Sequence, residues 1–374
     1  MRRLAIVSSQ AFSLCNFRGP LIRELVAHGV QVFALAPDYQ PHTRQAVAAL
    51  GAQPIAYRLE RAGRRPLRDI ADTVRLALLL RRLRPDATLT YFVKPVVYGG
   101  LAARAARVPR RYALIEGAGY VFGDGAARAW YRRILRSAVS GLYRLALQGA
   151  RRVFVLNQED GRLFVEHGLA RSEQVVCLGG IGVDLNDFAP APPVTEPVTF
   201  VLIARLLREK GIGEYVAAAR LVRAVYPGTR MLLVGGVDEN PGALGAWQVQ
   251  AWADEGVIEW TGPVPDVRPW LRQASVCVLP SYYREGVPRS LQEAMAMGRP
   301  LITTDWVGCR DTVEPGCNGL LVPVRDVAAL AAAMRRFVEQ PDLIVSMGLA
   351  SRRLAEQRFD ARQVNARILE GLGV

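Results

Sequence analysis

Short apolar runs alternate with amphipathic stretches along almost the whole chain. In the first half, residues 4–9, 31–36, 54–59, 87–91, 111–115, 152–155 and 174–177 are brief, apolar and rich in β-branched side chains, which predicts buried strands. Helical spacing fits between them over 20–28, 67–83, 97–107 and 126–148. A strand-helix series of this kind folds as a doubly wound parallel sheet. The run APAPPVTEP at 189–197 interrupts it and reads as a linker between domains. The series then restarts, with strands expected at 198–204, 231–234, 257–260, 276–279, 300–303 and 319–322 and a last helix over 359–372. The pattern therefore predicts an α/β protein of two Rossmann-like domains in tandem, with their strand ends facing a central cleft.

Composition narrows the class. At 51% hydrophobic and 22% charged residues, the 374-residue chain is globular rather than disordered and long enough for two cores. No uncharged apolar run reaches the length of a membrane span. The opening MRRLAIVSS reads as a first strand, since its apolar part is too short for a signal peptide. Five cysteines lie scattered without C-x2-C spacing, which indicates neither a disulfide framework nor a zinc site and fits a reducing cytoplasm. The net charge of +14 is uneven: residues 1–190 hold twice as many cationic as anionic side chains, and the remainder is balanced. That asymmetry points to an anionic partner for the first half, whether a membrane surface, a phosphorylated substrate or nucleic acid.

Candidate chemistry follows one rule of position. Asn16 and Arg18 come after the first predicted strand, Lys94 after the fourth and Glu116 after the fifth. In the second half Arg205 and Lys210 follow the first strand and Glu285 follows the fourth. All fall at carboxyl ends of parallel strands, where open α/β sheets bind ligands. Lys94 and Lys210 are the only lysines, and a compact ammonium suits a phosphate oxygen approached as a point charge. Arg205 and Lys210 in one strand-to-helix turn suit a pyrophosphate. In SYYREGVPRSLQEAMAMGRP (281–300), Pro288 fits a first helical turn, placing Glu285 in the turn before the helix and Glu293 within it. No D-x-D pair occurs, so a carboxylate clamp for a divalent metal is not evident.

The Arg205-x4-Lys210 pair followed by Glu285-x7-Glu293 resembles the donor-site signature of retaining glycosyltransferases of family 4, which have the GT-B fold. The likeness extends through LVGGVDENPGA (233–243), TGPVPDV (261–267) and TTDWVGCRDTVEPGCNGLLVP (303–323). In the first half SLCNFRGPLIREL (13–25), FVKPVVYG (92–99) and IEGAGYVFG (115–123) resemble bacterial members that extend polyprenyl-diphosphate-linked sugars for O-antigen, capsule or protein glycans. The resemblance implies that Arg205 and Lys210 grip the donor diphosphate, that Glu285 contacts the donor sugar and that Glu293 holds the ribose. Backbone at Val287, Arg289 and Ser290 would cap the distal phosphate, Val264 would meet the base, and Asn16 would join the donor site. Pro288 stands where many relatives carry glycine and removes one N–H donor.

Arg18, Lys94 and Glu116 would serve the acceptor. Many relatives place a histidine in the first domain near the reacting carbon, but the corresponding turn here is Glu116-Gly117. Glu116 is then a candidate base, a carboxylate held by backbone donors, or a residue that only positions the acceptor while the departing phosphate takes the proton. Within 125–152, Arg128, Trp130, Arg132, Arg133 and Arg136 are the candidate contacts to an anionic membrane, with Ile134, Leu135, Leu142 and Leu145 on a shared apolar face and Arg144 adding charge.

The resemblance thus implies an acceptor domain over 1–188, joined by the last helix (357–374), and a nucleotide-sugar domain over 189–356. It implies transfer of GalNAc, GlcNAc or a related hexose from a UDP-sugar to a lipid-linked sugar at the cytoplasmic face of the membrane, with retention and with no metal or other cofactor. Two rivals fit parts of the sequence. A GT-B-like sugar-nucleotide epimerase would use the same donor residues without an acceptor, and a nucleic-acid-binding protein would use the basic half, although no aromatic-basic module supports it. A nicotinamide-dependent dehydrogenase is disfavoured because no G-x-G-x-x-G follows either domain's first strand.

Overall fold

The computed structural model describes residues 1–60, 66–118, 129–238, 240 and 242–374, with backbone alone at 66 and 129–135. The chain forms two compact units, one of Met1–Ile181 with Ala361–Val374 and the other of Gly182–Asp360.

Among the described residues the first unit holds seven strands, β1 (Arg3–Val7), β2 (Gln31–Ala36), β3 (Gln53–Ala56), β4 (Ala87–Tyr91), β5 (Arg110–Ile115), β6 (Arg152–Val155) and β7 (Val175–Cys177). They pair in parallel in the order β3-β2-β1-β4-β5-β6-β7. β1 lies between β2 and β4, with Leu4 opposite both Val32 and Ala87. Leu4, Ala5, Ile6 and Val7 are wholly buried, as a strand covered on both faces requires. One core joins Val7, Leu35, Leu76 and Leu80, and a second joins Ile115, Tyr143, Val153 and Phe164. The strand order reverses between β1 and β4, so the loops leaving these two strands border the crevice where such sheets take ligands.

The second unit repeats the plan with β8 (Thr199–Ile203), β9 (Arg230–Val234), β10 (Glu259–Trp260), β11 (Val276–Leu279), β12 (Leu301–Thr304) and β13 (Gly319–Val322). Their order is β10-β9-β8-β11-β12-β13, again all parallel, with the reversal between β8 and β11. Phe200, Leu202, Tyr215, Leu233, Val278, Ile302 and Phe337 form its core.

The chain leaves the first unit at Ile181, ahead of the 188/189 boundary expected from the Pro-rich run, and returns at Ala361 rather than at 357. The reason is a buried cation. Arg299 donates to the carbonyls of Ala191 (2.9 Å) and Pro192 (3.1 Å), and Arg352 donates to that of Phe188 (3.0 Å). Burial pushes the Arg299 guanidinium down to about 10, and its partners are backbone oxygens. The Pro-rich run is therefore strapped to the second unit and is not a free linker.

The last helix, Ala361–Leu372, lies on the first unit. Tyr112 donates to Leu372 O (3.0 Å), Asn365 to Glu24 (2.9 Å) and Arg367 to Leu178 O (2.9 Å), while Val364, Ile368 and Leu372 are buried. Two short elements escape the periodicity. Helix Ala11–Asn16 fills what reads as a turn after β1, and a π-helical turn, Pro95–Gly99, follows Lys94.

Candidate active site

In the second unit the loops after β8 and β11 are tied together at the point of strand reversal. Gly211, in the left-handed region at φ +75°, ends the β8 loop so close to the end of β11 that a Cβ there would lie 2.1 Å from Pro280 O. The carbonyl of Glu209 accepts from the N–H groups of Tyr282 (2.9 Å) and Tyr283 (3.0 Å). This brings Lys210 against Glu285, and the two form an ion pair. Ser281 Oγ donates to the same Glu285 oxygen at 3.1 Å, and the Tyr283 ring lies 5.7 Å from the ammonium. Behind the carboxylate, Gly308 (φ +78°) would put a Cβ 2.3 Å from Gly286 O and 2.8 Å from Glu285 O, so the turn tolerates no larger residue.

Arg205 is half exposed and donates through Nη1 to the buried carboxylate of Asp238 at 2.5 Å. The site thus holds two cations from the loop after β8, each already oriented by a carboxylate. A diphosphate entering here would exchange one anionic partner for another, with little reorganisation of the cations.

Helix Arg289–Ala296 begins after Pro288, which serves as its N-cap rather than as a first-turn residue. The N-cap makes no side-chain hydrogen bond to this end, whose first N–H groups belong to Arg289 and Ser290. Val287 is buried, and its carbonyl accepts from Gln292 Nε2 (3.0 Å), which fixes the backbone ahead of the helix. Glu293 is buried and accepts from Arg289 Nε at 2.7 Å, one helical turn away. Burial raises the Glu293 carboxyl above the usual range, opposed by the charge and hydrogen bond of Arg289. Burial also pushes the thiols of Cys277 and Cys309 up to about 12 each, so neither is a nucleophile at neutral pH. Val264 is partly buried in the loop after β10. Among the described residues no three His, Cys, Asp or Glu side chains gather into a metal-binding cluster.

The first unit carries its own polar cluster at the carboxyl ends of β1, β4 and β5. Arg18 is buried at 2% exposure, pairs with Glu116 and lies 4.9 Å above the Tyr91 ring. Tyr91 shares a hydrogen bond with Ser13 (2.7 Å), which in turn meets Ser8 (2.9 Å). Lys94 contacts both carboxylate oxygens of Asp69 at 3.0 and 3.1 Å, next to Tyr98, whose hydroxyl is raised to about 12 by burial and then by Asp69. Asn16 is exposed at the end of its helix and donates to Phe12 O (3.0 Å).

Several of these residues lie inside the motifs without a spacing that marks their role. Asp238 belongs to the LVGGVDENPGA run, and Ser281 opens the stretch that carries both glutamates. Asp69 lies in a predicted helix, and its spacing offers no signal that it meets a lysine 25 residues on.

Only part of the expected membrane helix is described. Arg128 lies outside the described residues, as do the side chains of Trp130, Arg132 and Arg133. Helix Ala129–Leu147 turns Arg136 onto its own unit, donating to His167 Nε2 at 2.6 Å, while Arg144 donates to the carbonyls of His167 and Gly168 (3.0 Å each). Leu142 packs partly buried on the core, and Leu145, one turn on, is exposed.

Comparison with known proteins agrees with this architecture. The family described as Glycosyl transferase 4-like domain matches residues 18–179, and that described as Glycosyl transferases group 1 matches residues 197–340. Between them the matches take in most of both units, and the chain belongs to the group 1 glycosyltransferases, with a 4-like N-terminal domain and the GT-B fold. It is a glycosyltransferase. A curated relative, the N,N'-diacetylbacillosaminyl-diphospho-undecaprenol alpha-1,3-N-acetylgalactosaminyltransferase of Campylobacter jejuni, is 26% identical over 92% of each chain. Among solved structures, the sucrose-phosphate synthase of Thermosynechococcus elongatus superposes with a TM-score of 0.78 at 20% identity, covering 99% of this chain and 98% of that one. Anabaena HepE in complex with UDP and glucose superposes at 0.77 and 18% identity over 100% and 99%. At these identities the structures speak for the fold.

Proposed function

We propose that the protein moves a hexose or N-acetylhexosamine from a UDP-sugar to a polyprenyl-diphosphate-linked sugar, with retention of configuration, without a metal and at the cytoplasmic surface of a membrane, in the assembly of a surface polysaccharide or glycan. The observation that carries this reading is the Lys210–Glu285 pair at the β8/β11 reversal, with Arg205 on the same loop and Glu293 in the helix that follows. The printed activity of the Campylobacter relative supports the acceptor class, and the UDP complex of HepE supports the donor.

On this reading Arg205, Lys210 and the first N–H groups of helix Arg289–Ala296 take the diphosphate, and Glu293 takes the ribose hydroxyls. As the glycosyl bond opens, negative charge grows on the leaving diphosphate, where both cations stand ready. Glu285, held by Lys210 and Ser281, faces the sugar. Glu116 already accepts from the buried Arg18, so it orients the acceptor. The acceptor hydroxyl gives its proton to the departing phosphate oxygen on the same face as the new glycosidic bond forms, and UDP leaves.

The test is a thermal shift with UDP in EDTA. The wild type should gain several degrees, Lys210→Ala and Glu293→Ala should lose the gain, and Lys210→Ala should lower kcat by about 10²–10³. A gain that EDTA removes and Mg2+ restores would make the metal-free part wrong. Anomeric NMR of the product from polyprenyl-diphosphate-sugar acceptors reads the stereochemistry, and an inverted product would end the retaining assignment.

A further inference from the structure

Helix Pro66–Leu83 is apolar on two faces. One carries Leu76, Ala77 and Leu80 into the core of the first unit. The opposite face shows Leu67, Ile70, Val74 and Leu78 to solvent, at 83%, 58%, 54% and 49% exposure. At 100° and 1.5 Å per residue, these four fall on a strip roughly 80° wide and about 17 Å long. A helix apolar all round belongs in an interior, and four aligned side chains make a patch of the kind that marks an interaction surface.

The exposed charges that the helix itself sets beside the strip have one sign. Arg68, Arg75 and Arg82 run along one side of it, and Arg81 stands at its C-terminal end, donating to Ala105 O (2.8 Å). Arg68 and Arg75 remain 57% and 56% exposed, although the first lies 3.7 Å from Glu60 and the second 2.9 Å from Asp72. The helix's two carboxylates, Asp69 and Asp72, are buried on the core side. An antiparallel symmetric contact between two copies would set this row of arginines near its own image, where like charges repel. Lipid phosphates would instead neutralise it.

We infer that this strip is the surface by which the protein docks on an anionic bilayer, with Leu67, Ile70, Val74 and Leu78 entering the boundary between headgroups and acyl chains and the arginines meeting phosphates. Its position gives the docking a purpose. Asp69 near the start of the strip holds Lys94, the residue after β4, so the strip begins at the carboxyl rim of the sheet that also carries Arg18 and Glu116. The assignment rests on the proposed function only for that purpose, since a lipid-linked acceptor would reach the rim from the bilayer.

The experiment compares wild type with Ile70→Ser/Val74→Ser/Leu78→Ser and with Arg68→Ala/Arg75→Ala/Arg82→Ala on phosphatidylglycerol and phosphatidylcholine vesicles. Wild type should cosediment with the anionic vesicles. The serine variant should bind at least about tenfold more weakly, with unchanged melting temperature and unchanged turnover of a short-chain, water-soluble acceptor. The arginine variant should lose binding to the anionic vesicles in particular. Wild type that stays in the supernatant, or a serine variant that sediments like wild type, overturns the inference. So does a wild-type dimer in sedimentation velocity that the serine variant dissolves with no change in vesicle binding, because the occupant is then a second copy. Vesicle binding without any sugar transfer removes the proposed function and leaves the surface; transfer to the soluble acceptor without vesicle binding does the reverse.

Discussion

Burial and a neighbouring guanidinium pull the Glu293 carboxyl in opposite directions, and burial prevails: its pKa stands above the ordinary value. A carboxyl that ionises less readily in the folded chain than in the unfolded one withdraws stability as pH rises through and beyond its ordinary range. Glu293→Gln keeps the shape and the hydrogen bond but removes the charge. The ligand-free variant should therefore melt above wild type near neutral pH, and the difference should shrink as pH falls toward about 4, where both side chains are neutral. UDP affinity should meanwhile drop at least about tenfold, since a charge-assisted hydrogen bond is worth about 1.5–3 kcal/mol. Melts across pH with and without UDP read both effects. A variant less stable than wild type at every pH would mean that the ion pair with Arg289 outweighs the cost of burial. The residue would then be structural rather than held for a ligand.

One scale up, the turns that deliver the charged groups matter more than the groups' own propensities. Lys210 meets Glu285 because Gly211 lets the β8 loop touch the end of β11. Gly211→Ala should cost about 1–3 kcal/mol for the left-handed backbone, and more for the clash with Pro280 O, so the melting temperature should fall and UDP should bind more weakly. An alanine variant with wild-type melting and UDP affinity would show that the loop has another conformation open to it. The strands themselves are legible in the sequence, because runs such as VCVL (Val276–Leu279) carry their apolar character locally. So is the Arg289–Glu293 pair, four residues apart on one helix. What is not legible depends on partners distant in sequence. Arg205 with Asp238, Lys94 with Asp69 and Arg18 with Glu116 are separated by 33, 25 and 98 residues, and no local pattern couples them. The Pro-rich run reads as a linker from its composition, yet Arg299, more than one hundred residues on, holds it to the second unit. The outer strip of helix Pro66–Leu83 is written in the spacing 67, 70, 74, 78, but the spacing alone does not tell which of two apolar faces is inside.

At the scale of the whole molecule, chain order and unit membership part company at the C-terminus. Helix Ala361–Leu372 follows the second unit in sequence but is bonded to the first through Glu24, Tyr112 and Leu178. This makes hydrogen exchange a test of the donor assignment that needs no acceptor and no activity. UDP at about 100 times its Kd adds about 2.7 kcal/mol to whatever it holds folded. If the donor site is the one after β8 and β11, protection should rise in the loop 204–211, in 281–296 and through the core strands β8, β11 and β12. The first unit's β1, β4 and β5 should exchange as before, and Ala361–Leu372 should follow them despite lying C-terminal to the protected region. Protection that rises in β1, β4 and β5 while 204–211 stays unchanged would place the nucleotide on the first unit. Arg205 and Lys210 would then be surface cations paired with their own carboxylates, and the proposed chemistry would lose its electrostatic basis.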